Sequence, residues 1–161
     1  MKALLPNKHV QSITMEDGSL ICGCRDNSIQ ELDVMKGAPV TLQQGVRTLL
    51  AKKPIYALQV YDDKLYSAGS CVDGVCAKVW RLKDKLLEGQ VTTNLDVRAM
   101  VVNDEFVYLG SNTGVIEVWL RTRFLKVASM NIGCKVMAIL THDNVLYCGC
   151  EDGKIRRWVV G

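Results

Sequence analysis

The sequence predicts an all-β fold made of four antiparallel meanders, and two features of the chain carry this prediction. The first feature is an internal repeat of about 40 residues, the kind of period that repeat folds show. Its clearest markers are Trp80, Trp119 and Trp158, which lie 39 residues apart. The second feature is turn chemistry, because Asn, Asp and Gly separate short apolar runs within each repeat. Three strands joined by two tight turns form a meander.

The last repeat shows the elements in order. Residues 136–141 form an apolar first strand, which ends at the turn-forming residues 142–144. A second apolar run, residues 145–150, ends before Asp-Gly at 152–153, a strong hairpin signal between two such runs. Residues 154–160 form the third strand and contain Trp158.

Equivalent positions align in all four repeats. The first strands begin at Val10, Ile55, Val97 and Val136. The third strands end on Leu32, Trp80, Trp119 and Trp158. The predicted units cover about residues 9–43, 55–92, 97–130 and 136–160 of one domain, 1–161. An outer strand follows in the first three units, so we expect four-stranded blades of a β-propeller.

The hairpins resemble those of the WD-repeat family. Residues 110–119 and 149–158 match the family's second hairpin, which runs from small residues through a Gly-containing turn to a tryptophan. The match is degenerate, because Arg81, Leu120 or Val159 follows each tryptophan where the family has Asp. The resemblance therefore implies an incomplete hydrogen-bond network and blades that depend on apolar packing.

A narrower resemblance rests on two Cys-Gly-Cys segments. Residues 20–32 and 148–158 resemble the C-terminal propeller of plant Lin/Cerberus-type ubiquitin-protein ligases. This resemblance implies a scaffold that binds a substrate or partner protein in the ubiquitin conjugation pathway and has no catalysis of its own.

The ring is expected to be incomplete. The fourth unit ends after its third strand, and residues 1–8 could supply a closing strand. Blades of the WD type, however, resemble those of larger rings. We therefore expect a partial propeller, an open arc whose exposed end blades need either further blades or a second copy to cover them.

Composition predicts a soluble cytoplasmic or nuclear chain. The net charge is +3, and no apolar run approaches the roughly 20 residues of a membrane helix. The N-terminus has too short an apolar stretch for a secretory signal. The seven cysteines have no framework spacing, and serine, glycine or leucine replaces Cys22, Cys24, Cys148 and Cys150 in other repeats. We expect no metal, no cofactor and no disulfide.

No catalytic constellation is found. His9 and His142 lie at strand-entry and turn positions, without a repeated Cys, Ser or carboxylate partner. The acid pairs at 62–63 and 104–105 recur at the same turn, which marks them as turn formers. The chain is therefore not expected to be an enzyme.

Two irregular loops, residues 44–54 and 70–76, are predicted to lie on one face and to bind an unidentified protein partner. The candidate partner-binding residues are Arg25, Asn27, Arg47, Lys52, Lys53, Val72, Asp73, Asn112 and Glu151. The structural residues are Trp80, Trp119 and Trp158.

An alternative from another class places function on the opposite face. The third-to-fourth strand connectors carry basic side chains that could bind phosphoinositide or nucleic acid. These residues are Arg81, Lys83, Lys85, Arg121 and Arg123. Asp84 and Glu88 are interspersed among them, so nucleic acid is not the expected partner.

Overall fold

The computed structural model describes residues 3–5, 7–35, 39–45 and 52–160, which contain fifteen strands and no helix. Blade 1 contains β1 (Val10–Glu16), β2 (Ser19–Cys24), β3 (Ile29–Asp33) and β4 (Pro39–Gln43). Blade 2 contains β5 (Ile55–Tyr61), β6 (Lys64–Val72), β7 (Val75–Arg81) and β8 (Leu86–Thr92). Blade 3 contains β9 (Val97–Val102), β10 (Phe106–Ser111), β11 (Val115–Leu120) and β12 (Leu125–Asn131). Blade 4 contains β13 (Val136–His142), β14 (Val145–Cys150) and β15 (Ile155–Val159).

Each blade is an antiparallel meander whose strands pair in chain order. The predicted all-β fold of antiparallel blades is thereby confirmed, and the fourth sheet has three strands within the described residues. The turns use the chemistry that the sequence indicated. Asp143 and Asn144 both have positive φ, at 46° and 61°. Two consecutive residues of this kind form the type I′ turn that suits a two-residue hairpin.

The hydrophobic core lies between the blades. Ile21 and Ile29 of blade 1 pack with Ile55 and Leu65 of blade 2. A second cluster joins blades 2 and 3, and a third joins blades 3 and 4. Burial of both faces of the middle blades explains why their strands are apolar on both sides instead of alternating strictly.

The blades form an open arc. β1 packs beside β5, β5 beside β9, and β9 beside β13. No comparable packing joins β13 to β1 among the described strands. The described part of the predicted closing segment, residues 3–5 and 7–8, contains no strand, and its other residues lie outside the described ranges.

The tryptophans point toward the preceding blade. Trp80 packs on the cluster between blades 1 and 2, and Trp119 on the cluster between blades 2 and 3. The indole Nε1 atoms of both are buried and have no hydrogen-bond acceptor among the described residues. This agrees with the incomplete network expected from the missing Asp residues.

The expectation of no disulfide is wrong for one pair. Cys71 and Cys76 form a disulfide, with their Cα atoms 4.3 Å apart. The three extra residues of this repeat also do not loop out as expected. They lengthen the β6–β7 hairpin, in which Val72 pairs with Val75 around the turn at Asp73. This extension places the two cysteines opposite each other.

The other second-strand cysteines lie in the core. Cys22, Cys24, Cys148 and Cys150 are buried free thiols. Desolvation, with a smaller contribution from Cys150, raises the pKa of Cys148 to about 12. A neutral buried thiol acts as a small apolar side chain, in keeping with the packing interpretation of these positions. In the part of the chain that is described, no helix has the length and apolar character needed to span a membrane.

Candidate partner-binding surface

The loops that were predicted to bind a partner lie at one end of the arc. We call this end the loop face: it consists of the turns between second and third strands and the connectors that enter the first strands. In every blade, the residue at one equivalent position, at or near the end of the second strand, donates a backbone hydrogen bond to the residue before the first strand. The four bonds are Arg25 N to His9 O, Ser70 N to Pro54 O, Asn112 N to Asp96 O, and Glu151 N to Lys135 O. The repeated bond fixes both kinds of loop to the same end of each blade.

A groove of about 450 Å³ opens on the loop face and spans the first three blades. We call it the loop-face groove, and its lining includes Arg25, Lys52 and Ser70 from the predicted surface. Its other lining residues are Gln11, Pro54, Tyr56 and Asp96. The end of the first irregular loop, at Lys52 and Pro54, and the start of the second, at Ser70, therefore line one concave site.

The connector before β5 is held on this groove by Asn27. Asn27 Nδ2 donates to Lys53 O at 2.9 Å, and Lys53 N donates to Arg25 O at 2.9 Å. Asn27 is buried and has a positive φ of 72°, a conformation that asparagine tolerates better than most residues. Its side chain therefore positions the connector and does not present a free surface to a partner.

A polar chain continues from Asn27 into blade 2. Gln43 Nε2 donates to Asn27 Oδ1 at 2.9 Å, and Lys78 Nζ donates to Gln43 Oε1 at 2.9 Å. Desolvation lowers the pKa of Lys78, whose ammonium group also lies 5.8 Å from the ring centroid of Trp80. Because every member of the chain has a partner, the network stabilises the blade 1–blade 2 junction beneath the groove.

A second anchor lies beside the groove. Lys8 Nζ contacts Asp26 Oδ2 at 2.7 Å, and Ser28 donates to Asp26 from its backbone N and its hydroxyl. Burial raises the pKa of Asp26, but the hydrogen bonds from Lys8 and Ser28 outweigh it, so the net shift is downward. The Asp26 carboxylate is thus engaged in contacts within the chain, and the side chain of the neighbouring Arg25 remains available to contact a partner.

The charges at the groove are mostly positive. None of the described residues forms an ion pair or side-chain hydrogen bond with Arg25 or Lys52. Arg98 lies with its guanidinium carbon 4.5 Å from the ring centroid of Tyr56, a cation–π contact at the groove wall. The one acidic lining residue, Asp96, accepts a hydrogen bond from Cys71 N at 2.9 Å. The groove can therefore attract a carboxylate.

The remaining predicted residues do not line the groove. Asn112 and Glu151 are exposed on blades 3 and 4, and Val72 and Asp73 lie in the β6–β7 hairpin beyond the disulfide. Arg47 lies outside the described residues. The prediction that these side chains bind a partner stays a prediction.

Sequence reasoning missed the strand-end residues of the groove. Gln11 and Tyr56 are second residues of first strands, as is Arg98 in blade 3. Alignment of the repeats would have shown that this position is polar or aromatic in three blades beside apolar neighbours. The pairing register also shifts at Gln11 and Tyr56, where β1 and β5 are irregular.

The opposite end of the arc is less basic than its sequence indicated. Arg81 pairs with Asp84 at 2.6 Å and Lys85 with Glu31 at 2.8 Å. Arg121 contacts Asp62 at 3.4 Å. The larger groove at this end, of about 730 Å³ between blades 3 and 4, is lined in part by acids. They are Asp104, Glu105 and Asp143. These charges disfavour a phosphate ligand.

The histidines and cysteines form no convergent site in the described ranges. His142 is exposed at its turn, with Nε2 3.1 Å from Asp143 Oδ2. No group of three or more His, Cys, Asp or Glu side chains within the described residues is arranged to hold a metal ion.

Solved structures share this fold. The chain superimposes on the computationally designed Ika4 protein with a TM-score of 0.78 and 21% identity, covering 96% of this chain and 93% of that one. It matches a chain of the mitotic checkpoint complex at TM-score 0.78 and 19% identity, covering 48% of that chain. It matches U3-55K at TM-score 0.76 and 14% identity, covering 50% of that chain.

Sequence comparison points to plant proteins. No protein-family model matches the chain. The chain is 35% identical over 159 residues to the Medicago truncatula protein named "Putative E3 ubiquitin-protein ligase LIN", covering 96% of this chain. It is also 35% identical to the Lotus japonicus protein of the same name, LIN-1. The chain spans 11% of the length of each of these relatives. Its similarity to the LIN proteins is therefore limited to one propeller-like segment.

Proposed function

We propose that this chain is a protein-interaction segment related to part of the LIN proteins, and that its loop-face groove binds an acidic side chain of a partner protein. In a longer LIN-like protein, such a segment would hold a substrate or partner for catalysis performed elsewhere. The observation that carries the proposal is the concave groove lined by Arg25 and Lys52, whose side chains form no ion pair or hydrogen bond with the described residues.

The geometry favours a protein carboxylate as the bound group. The groove lining combines two cations, Arg25 and Lys52, with the aromatic ring of Tyr56. The connector that carries Lys52 is fixed by the hydrogen bonds of Asn27 and Lys53. Such pre-organisation lowers the entropic cost of binding, and the charges steer an acidic partner toward the groove.

Specificity would come from the loops beside the groove. Residues 44–54 and 70–76 differ in length from their counterparts in the other repeats, and their ends meet at the groove. Lys53 contributes its backbone to the fold, which makes Lys52 the sharper position for a test.

The test is a charge reversal with a matched control. The double variant Arg25→Glu, Lys52→Glu removes the positive groove, whereas Lys83→Glu, Arg123→Glu makes the same change in charge at the opposite end. A phage-displayed library of peptides, selected on the wild-type chain and measured by fluorescence anisotropy, supplies the ligand. We expect acidic consensus peptides that bind the control normally and the groove variant about tenfold or more weakly.

Salt provides a second readout. Binding through the groove should weaken as ionic strength rises, because exposed charges are screened within a Debye length of about 10 Å at 0.1 M. Peptides without acidic residues that bind the groove variant as tightly as the wild type would contradict the proposal. Circular dichroism of each variant checks that the fold is retained.

A further inference from the structure

The contacts between successive blades repeat one arrangement. A small residue near the end of a second strand forms a socket, and the β-branched residue that begins the next blade's first strand fills it. A Cβ added to Gly23 would lie 2.6 Å from Ile55 Cγ2, and one added to Gly110 would lie 2.6 Å from Val136 Cγ1. In the remaining interface the corresponding residues, Ala68 and Val97, are buried in one cluster.

Blade 4 carries the same socket, but no described residue fills it. A Cβ added to Gly149 would meet only Ala138 Cβ of its own blade, at 3.7 Å. Ile155 is the register partner of Gly149 and is 79% exposed. Its counterparts Ile29, Ala77 and Ile116 are 0%, 6% and 0% exposed.

The residue of blade 1 that corresponds to the socket-filling residues is Val10, and no described socket receives it. Val10 begins β1 and is 40% exposed. Its counterparts Ile55, Val97 and Val136 are 4%, 1% and 0% exposed. Ile13 and Met15, on the same face of β1, are also exposed. The first strand of blade 1 and the Gly149 side of blade 4 thus expose the residues that meet at the three interfaces within the chain.

We infer that blade 4 of one molecule binds blade 1 of a second copy, with Val10 in the socket formed by Gly149 and Ile155. The occupant is a second copy because the complementary surface lies on this chain and repeats its own inter-blade chemistry. Among the described strands, β1 and β13 of the same molecule share no packing comparable to that between successive blades.

Two copies suffice to close the assembly. The contact joins different surfaces of the two molecules, and such heterologous contacts produce a ring when the rotation closes. The four blades cover 50% and 48% of two longer chains on which they superimpose. An arc of about half a propeller predicts a closed dimer with two equivalent Val10–Gly149 contacts.

The first measurement is the mass of the full 161-residue chain by sedimentation equilibrium across micromolar concentrations. We expect a dimer of twice the 17.9 kDa chain mass. A monomer over the whole concentration range would overturn the inference, and so would an open-ended series of larger species.

Single variants test the residues on each side of the contact. Val10→Asp and Ile155→Asp each place a charge at the proposed contact, and we expect each to weaken dimerisation by roughly 100-fold. The matched control is Val127→Asp on the outer strand β12, which starts from a comparably exposed valine. Since all three positions are exposed, thermal unfolding should show that every variant folds. A dimer insensitive to Val10→Asp and Ile155→Asp would refute the assignment.

Mixing the two defective variants tests the head-to-tail geometry. The Val10→Asp chain retains an intact blade 4, and the Ile155→Asp chain retains an intact blade 1. One good contact therefore remains in the mixture, and we expect heterodimers that neither variant forms alone. Absence of heterodimers would contradict the geometry, because a contact between two blade 4 surfaces could not be restored in this way.

Discussion

The unpaired indole of Trp119 gives a sharp prediction about what holds the blades together. Trp119 packs on the cluster between blades 2 and 3, and its Nε1 is buried without an acceptor among the described residues. If packing alone makes this residue important, a side chain that keeps an aromatic ring and loses the N–H should be tolerated. We therefore compare Trp119→Phe with Trp119→Ala.

The expected magnitudes differ clearly. Trp119→Ala removes a large side chain from an inter-blade cluster, which typically costs about 3 to 5 kcal/mol; partial exposure places this case near 3. Trp119→Phe loses about 1 to 2 kcal/mol of apolar burial. It also removes an unsatisfied buried donor, whose burial costs about 1 to 3 kcal/mol. The Phe variant should therefore remain within about 1 kcal/mol of the wild type.

Urea unfolding followed by far-ultraviolet circular dichroism measures both differences without relying on the altered fluorophore. With unchanged slopes, the midpoint shifts give the changes in the free energy of unfolding. Trp158→Phe is the control, because Trp158 is not among the buried indoles without an acceptor and lacks the offsetting gain. A Trp119→Phe variant as destabilised as Trp119→Ala would refute the argument, because removing the N–H would then bring no offsetting gain.

Three further perturbations address charge, covalent linkage and close packing. The folded-state pKa of Asp26 lies below its ordinary 3.8, so its stabilisation is present above about pH 4 and is lost as pH falls through the folded value. Asp26→Asn should therefore lower the melting temperature at neutral pH and flatten its acid dependence. Serine at both Cys71 and Cys76 should cost about 2 kcal/mol, as expected for a short closed loop, and dithiothreitol should then have no further effect on the melting temperature. Gly110→Ala should destabilise by about 1 to 3 kcal/mol because its methyl group meets the next blade, whereas Gly149→Ala in dilute monomer should be neutral; equal costs would contradict the socket geometry.

The sequence by itself determined the architecture, because the architecture is local and repeated. Apolar runs, Asp-Gly turns and tryptophans recurring at equal spacing specify strands and hairpins within each repeat, whatever the neighbouring repeats do. The incomplete hydrogen-bond network of the tryptophans could also be predicted from the sequence, because the absence of Asp after Trp80, Trp119 and Trp158 is a property of single positions.

Tertiary structure decided what depends on distances between repeats. The sequence placed Asn27 on a binding surface, but its side chain is buried and holds Lys53. Equivalence between repeats argued against disulfides, yet an insertion found in one repeat brought Cys71 and Cys76 together. The groove exists because residues from different blades meet there. The socket at Gly149 is unfilled because no described residue of another blade contacts it. Contacts across blades depend on the angle between sheets, which the pattern within one repeat does not encode.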